Sequence, residues 1–200
     1  MATYDAIVIG LGAHGSAAAH HLSRRGARVL GLERFPRGGS LGSSVGLSRV
    51  IRLAYFEHTT YVPLLLRAWD LWLELEGAAQ ERLLVRTGGI YVGEPTSQMV
   101  TGSTRSALEH SLPHELLDAA EIERRYPPLK LRPGWVGLFE AQAGVLLPER
   151  CIEAHLALAE RRGAALRFSE TATHWEANGS GIRVATRSGV FAARLAGHAA

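Results

Sequence analysis

The sequence predicts an α/β fold, and three observations near its start predict it. Residues 6–9 form a short apolar, β-branched run that ends on Gly10, Gly12 and Gly15 in G-x-G-x-x-G spacing. Residues 17–25 have the composition and length of a helix, and Gly26 stops that helix. Residues 28–32 form a second apolar run with Glu33 at its end, 23 positions after Gly10. Strand, tight turn, helix, strand and acid thus follow one another in the order that a dinucleotide requires.

Each part of this unit has a physical task. Gly10 permits the tight turn out of the strand, Gly12 has no Cβ to block a pyrophosphate, and Gly15 lets the helix pack close to the strand. The helix N-terminus then offers unpaired N–H groups and the positive end of its dipole to phosphates. Glu33 can accept hydrogen bonds from both ribose hydroxyls, and its charge repels a 2′-phosphate, which disfavours NADP; Arg34 beside it works against that repulsion. This stretch leaves the choice between FAD and NAD open.

Composition narrows the remaining classes. The chain of 200 residues is 46% hydrophobic and 20% charged, as ordinary globular domains are. Net charge is +3, and the 22 basic residues include a single lysine, Lys130. The arginines are scattered without a basic block or interleaved aromatics, so no nucleic-acid partner is expected. No apolar run reaches membrane-spanning length and no signal peptide precedes the fold, so a cytoplasmic protein without a membrane partner is expected. Cys151 is the only cysteine, which excludes an internal disulfide and a cysteine-rich metal site. The nine histidines are read as scattered, each at the surface or satisfied, so no metal is expected.

After the opening unit, residues 35–47 (FPRGGSLGSSVGL) make a long Gly- and Ser-rich loop, the kind that is functional or disordered inside compact domains. It leads into Arg49 and Arg52, three positions apart; on a helical turn this spacing would put both guanidinium groups on one face. Either they form a solvated face, or one stands beside a cofactor ring and the other clamps a carboxylate. Residues 61–76 form an amphipathic helix whose stripe, Leu65, Ala68, Trp69, Trp72 and Leu75, is read as core.

Short strands are expected at 83–86 and 89–92, and a helix at 97–110. Asp118 and Glu121 make a capping-box-like start to another helix, which ends before Pro127 and Pro128. Residues 135–140 and 144–147 suggest a hairpin-like pair, followed by a helix over 148–162 with proline in its first turn and Cys151 buried as a small apolar residue. Strands at 166–168, 172–176, 182–186 and 190–193 then alternate with turns at 178–181 and 188–189.

Residues 42–55 (GSSVGLSRVIRLAY), with 61–64 (YVPL), 71–72 (LW), 87–89 (TGG), 139–140 (FE), 144–146 (GVL) and 151–152 (CI), resemble the monomeric sarcosine oxidase and N-methyltryptophan oxidase family. These are FAD-dependent amine oxidases, and the matches run in family order along nearly the whole chain. The resemblance implies a Rossmann-like FAD-binding fold, incomplete here, with part of a second, antiparallel-sheet substrate domain. The implied division is 1–80 for the first part of the FAD domain, 81–147 for the partial substrate domain, and 148–200 for the return to the FAD domain.

In such an arrangement FAD lies along the N-terminal fold, with Glu33 and Arg34 at the adenosine end, Ser43 and Ser44 approaching the cofactor, and Ala172 on a strand beside the adenine. Arg49 stands by the isoalloxazine ring, Arg52 holds the substrate carboxylate, and Tyr55 lies near the same pocket. The pattern departs at Val45, where the family usually carries a histidine of the flavin environment.

The implied reaction oxidises a secondary amine such as an N-methyl amino acid, with O2 as acceptor and H2O2 as product. The family continues for about as long again, so the chain is expected to be an N-terminal half. It would lack the final central strand, the other half of the substrate sheet, a lysine over the flavin, a second substrate cation and the flavin-linking cysteine. Such a half is expected to bind the ADP part of FAD weakly and to turn over little. The alternative is a catalytically silent dinucleotide-binding fragment or a subunit completed by another chain. An NAD-dependent dehydrogenase is a weaker alternative, because nothing after Glu33 resembles one.

Overall fold

The computed structural model describes residues 3–39, 41–44, 46–178 and 181–198. In chain order, β1 (Thr3–Ile9), α1 (Ala13–Arg24) and β2 (Val29–Leu32) precede the long loop, and β3 (Arg49–Ile51) follows it. A 3-10 turn (Thr59–Tyr61) opens α2 (Val62–Ala79), and then come β4 (Leu84–Arg86), β5 (Gly89–Gly93) and α3 (Gln98–Glu109). Next are β6 (Glu115–Asp118), α4 (Ala119–Arg125), β7 (Val136–Glu140) and β8 (Gly144–Leu146). The last elements are α5 (Pro148–Arg161), β9 (Ala165–Arg167), β10 (Ala172–Asn178), β11 (Gly181–Thr186) and β12 (Val190–His198). The chain divides into two units, 1–47 with 77–83 and 147–200, and 48–76 with 84–146.

The first unit is built on a six-stranded sheet in the order β10-β11-β12-β1-β2-β9. β1 runs parallel to β12 and to β2, and β2 parallel to β9, while β10 and β11 pair antiparallel. All four residues of β2 are buried, which is why it reads as a continuous apolar run rather than an alternation. Ile7, Leu30, Leu32, Val184 and Ala193 fill one core cluster. Val8, Leu11, Ala19, Val29, Leu156 and Ala159 fill another, which joins α1 and α5 to the sheet. β12 is longer than the strand expected over 190–193, and it pairs parallel with β1 along Thr3–Ile9. The expected turn at 178–181 falls partly on Gly179 and Ser180, outside the described residues.

The histidines depart from their expected scatter. α1 and α5 bring His20, His21 and His155 together, with ring centroids 4.9 Å apart for His20 and His21 and 5.3 Å for His20 and His155. His20 and His155 are buried at 4% and 6% exposure, and His20 Nδ1 has no hydrogen-bond partner. Burial is the main cause that lowers His20 to about 4 and His155 to about 3; the repulsion a charged ring would meet from the other imidazoles, and for His20 from Arg162 and Arg24, adds to it. Two neutral imidazoles thus sit where α1 meets α5, a point that sequence spacing did not reveal. Among the described residues, no group of His, Cys, Asp or Glu is placed to hold a metal ion. Cys151 is buried, as its position inside α5 implied.

The second unit holds two three-stranded antiparallel sheets, β3-β8-β4 and β5-β7-β6. The hairpin-like pair expected from residues 135–147 does not form, because β7 and β8 belong to different sheets. β8 pairs on one edge with β3 and on the other with β4, so both edges of a three-residue strand are satisfied where a hairpin would satisfy one. β4 and β5, joined through Thr87 and Gly88, are likewise in different sheets.

α2 buries Trp69 and Leu75 and half-buries Leu65, Ala68 and Trp72, which is the expected stripe. The Asp118 side chain accepts from Glu121 N at 2.8 Å and caps α4, as the local pattern implied. No helix among the described residues is long and apolar enough to cross a membrane.

Candidate functional site

The glycine turn lies at the mouth of a cleft of about 880 Å³ in the first unit. Its lining includes Gly10, Gly12, Gly15, Glu33, Arg34, Ser43, Ser44 and Ala172, drawn from β1, α1, β2, the loop after β2 and β10. Gly10 adopts φ 87°, a left-handed conformation that a side chain resists. A Cβ on Gly15 would stand 1.8 Å from Gly10 O, so the helix approaches the strand more closely than any other residue allows. A Cβ on Gly12 would meet only Ser44 Oγ, at 3.5 Å. Gly12 also caps α1 without a side-chain hydrogen bond of its own; Ala13 N is taken by Ser44, and the helix dipole with the next first-turn N–H groups is left for an anion.

Glu33 is fixed by the same turn. Its carboxylate accepts from Leu11 N at 2.8 Å and from Phe35 N at 3.0 Å, while its own backbone N donates to Arg167 O at 2.8 Å. One N–H on each carboxylate oxygen leaves each with a further lone pair for a hydroxyl donor. Ser44 Oγ accepts from Ala13 N at 3.2 Å, tying the loop to the first turn of α1. Arg34 is exposed and stacks over Phe35 at 4.5 Å. Val45, where the family pattern departs, lies outside the described residues.

Arg37 was not singled out in the sequence, yet it anchors this loop. Its guanidinium donates to Glu153 at 2.6 Å and to Glu160 at 2.9 Å, both on α5. The two carboxylates, Glu153 first, raise its pKa. The signal was present as two acids seven positions apart on one helix, but their partner is more than a hundred positions away.

Arg49, Arg52 and Tyr55 belong to the second unit. Arg49 opens the strand β3 and Arg52 directly follows its last residue, so the helical turn that would put both guanidinium groups on one face is not formed. Arg49 is exposed and donates to Ser48 O at 2.8 Å. Arg52 is half-buried, with its guanidinium carbon 4.4 Å from the Tyr55 ring centroid, 5.3 Å from Phe56 and 5.6 Å from Tyr91. It also donates to Glu57 at 3.1 Å. Three aromatic faces and one exposed carboxylate thus surround a single cation, an arrangement suited to holding an anion at its remaining N–H groups.

Glu140 and Tyr91 complete this surround, and sequence reasoning gave neither a role. Glu140 is 1% exposed and accepts from Leu53 N, Ala54 N and the Tyr91 hydroxyl. Burial, and then the Glu140 charge, push the Tyr91 hydroxyl above its ordinary pKa. An acid closing an apolar strand (VGLFE) was the available signal.

The first unit, by its parallel sheet, glycine turn and acid-ended β2, defines a protein of the dinucleotide-binding α/β class. The chain belongs to the FAD dependent oxidoreductase family, which it matches over residues 5–196. It is 52% identical over 96% of its length to a monomeric sarcosine oxidase of Streptomyces avermitilis, covering 50% of that protein. It is 36% identical over 96% of its length to an N-methyl-L-tryptophan oxidase of Salmonella dublin, covering 52% of it.

Among solved structures, the open form of NikD, described as an unusual amino acid oxidase essential for nikkomycin biosynthesis, superposes with a TM-score of 0.85 at 29% identity. That match covers 100% of this chain and 51% of the other. Glycine oxidase from Geobacillus kaustophilus, at 22% identity and a TM-score of 0.82 over 100% of this chain and 56% of that one, shares the fold. The chain therefore spans about half the length of the relatives it matches.

Proposed function

We propose that this chain supplies the FAD-binding part of an oxidase of secondary amines, with a small N-methyl amino acid such as sarcosine as substrate. The observation that carries the reading is the convergence of the glycine-capped α1 N-terminus, the Gly10–Gly15 close approach and Glu33 on one cleft. The first-turn N–H groups of α1 would hold the diphosphate, and the Ser44 hydroxyl, already an acceptor from Ala13 N, has its hydrogen left to donate to it. Glu33 would take the ribose hydroxyls with its remaining lone pairs, and Ala172, small and on the cleft wall, leaves space for the adenine.

FAD, when bound, supplies two-electron oxidation chemistry, with O2 as the final acceptor and H2O2 as product. Arg49 would add positive charge near the flavin. Arg52 would orient the substrate by its carboxylate, with Tyr55 as the apolar wall beside it. The FAD dependence of the family and the sarcosine oxidase and N-methyl-L-tryptophan oxidase names of its relatives support this assignment.

Calorimetric titration of the chain with ADP, FAD and FMN tests the cofactor assignment. ADP and FAD are expected to bind with similar affinity and FMN not to bind, because the cleft described here addresses the adenosine diphosphate. Equal binding of FMN would overturn that assignment. Peroxide formation from sarcosine by the isolated chain would show that these 200 residues suffice for turnover. Retained ADP binding without peroxide favours the second reading, a nucleotide-binding part that is silent alone, which the half-length match to the relatives also favours.

A further inference from the structure

We propose that Glu140 is a positioning residue for the Arg52 guanidinium, acting through the Tyr91 hydroxyl and through the backbone that follows Arg52. The inference rests on the reading of Arg52 as the cation for the substrate carboxylate.

A carboxylate at 1% exposure is retained only where donors compensate for its lost hydration. Glu140 has three donors, and all of them bear on Arg52. Leu53 N reaches its two oxygens at 3.1 and 3.3 Å, and Ala54 N reaches Oε2 at 2.9 Å, so the two amides directly after Arg52 are pinned to one side chain. The third donor is the Tyr91 hydroxyl, at 2.8 Å from Oε1. With its proton committed to Glu140, the Tyr91 oxygen presents only lone pairs to its other neighbours. Arg52 is one of them: its guanidinium carbon stands 5.6 Å from the Tyr91 ring centroid, where the cation is attracted to the electron-rich phenol.

The cation is therefore held from two sides that differ in kind. On the outer side is Glu57, whose side chain is 41% exposed. On the inner side is a dry relay in which Glu140 orients Tyr91 and Tyr91 orients Arg52. An exposed ion pair is exchangeable, and an arriving carboxylate can replace it. The buried relay fixes the aim of the guanidinium whether or not Glu57 is engaged.

Nitrogen-15 spectroscopy of the full chain tests this. The Arg52 Nε–Hε signal, identified by its loss in Arg52→Lys, is compared in the parent, Tyr91→Phe and Glu140→Gln, without ligand and during titration with sarcosine. Sarcosinamide serves as the control without a carboxylate.

The expected result is an ordered, slowly exchanging Nε–Hε in the parent and a mobile one in both variants. Sarcosine affinity should fall roughly tenfold in Tyr91→Phe, the scale of one hydrogen bond to a charged group. Tyr91→Phe leaves both backbone bonds of Glu140 in place, so it decides the matter even if Glu140→Gln does not fold. An unchanged Arg52 signal in folded Tyr91→Phe would overturn the proposal and leave Glu140 a purely structural anchor. Absence of any sarcosine effect in the parent would instead overturn the substrate reading, while the ligand-free comparison still decides the positioning role.

Discussion

Alanine at position 15 and alanine at position 12 are expected to separate the two tasks of the glycine turn, packing and binding. At Gly15 the added Cβ falls 1.8 Å from Gly10 O and 2.8 Å from Gly10 C, against a closest tolerable approach near 3.0 Å. Strand and helix must therefore part by about 1 Å, and the atom in the way is backbone, which no rotamer change can move. Overpacking of this kind costs roughly 1–3 kcal/mol, and the rigid obstacle puts Gly15→Ala at the upper end. For a chain of this size that is a fall in Tm of roughly 6–12 °C.

At Gly12 the same methyl meets only Ser44 Oγ at 3.5 Å, an ordinary contact, so Gly12→Ala should unfold within about 0.5 kcal/mol of the parent. It would nevertheless stand in the cleft, between the α1 N–H groups and a diphosphate. Urea unfolding followed by circular dichroism, with ADP calorimetry on each variant, reads both effects. If Gly12→Ala binds ADP as well as the parent, or loses as much stability as Gly15→Ala, the assignment of these glycines is refuted.

Three further outcomes follow from other parts of the structure. The histidines between α1 and α5 have folded pKa values below the ordinary 6.5, at about 4 for His20 and about 3 for His155, so the unfolded chain binds the extra protons. Stability should be complete above pH 6.5 and decline as pH falls toward 4, with a slope approaching about 1.4 kcal/mol per pH unit for each histidine; a urea midpoint that is flat over this range would contradict their burial as neutral groups. Arg37→Ala removes both ion pairs to α5 and should cost about 1 kcal/mol, with faster hydrogen exchange confined to residues 35–44 and the α1 N-terminus. Asp118→Ala removes the α4 cap and should cost about 1 kcal/mol, and Asn at the same position should restore most of it.

What the sequence made legible depended on how local the cause was. The β1–α1–β2 unit could be read because its constraints, a left-handed glycine, a glycine helix cap and an acid after a strand, all act within thirty residues. The Asp118 cap and the α2 stripe were legible for the same reason.

Pairing choices were not. β7 and β8 are separated by a short turn, yet their hydrogen bonds go to different sheets, and residues 48–76 group with 84–146 because of strands far along the chain. The Arg49 and Arg52 spacing puts both side chains on one face only in a helical turn, and β3, which ends at Ile51 between them, replaces that turn. His20 and His155 meet only because α1 and α5 lie on the same core cluster. Glu140 carried a signal, a charge closing an apolar strand, but not the identity of its three donors.

Amide chemical shifts of the chain during an ADP titration test the central claim most directly. The account predicts saturable shifts concentrated at Leu11, Gly12, Ala13, His14 and Gly15, with Glu33 and Ser44 moving in step. Shifts that leave those amides untouched would contradict it.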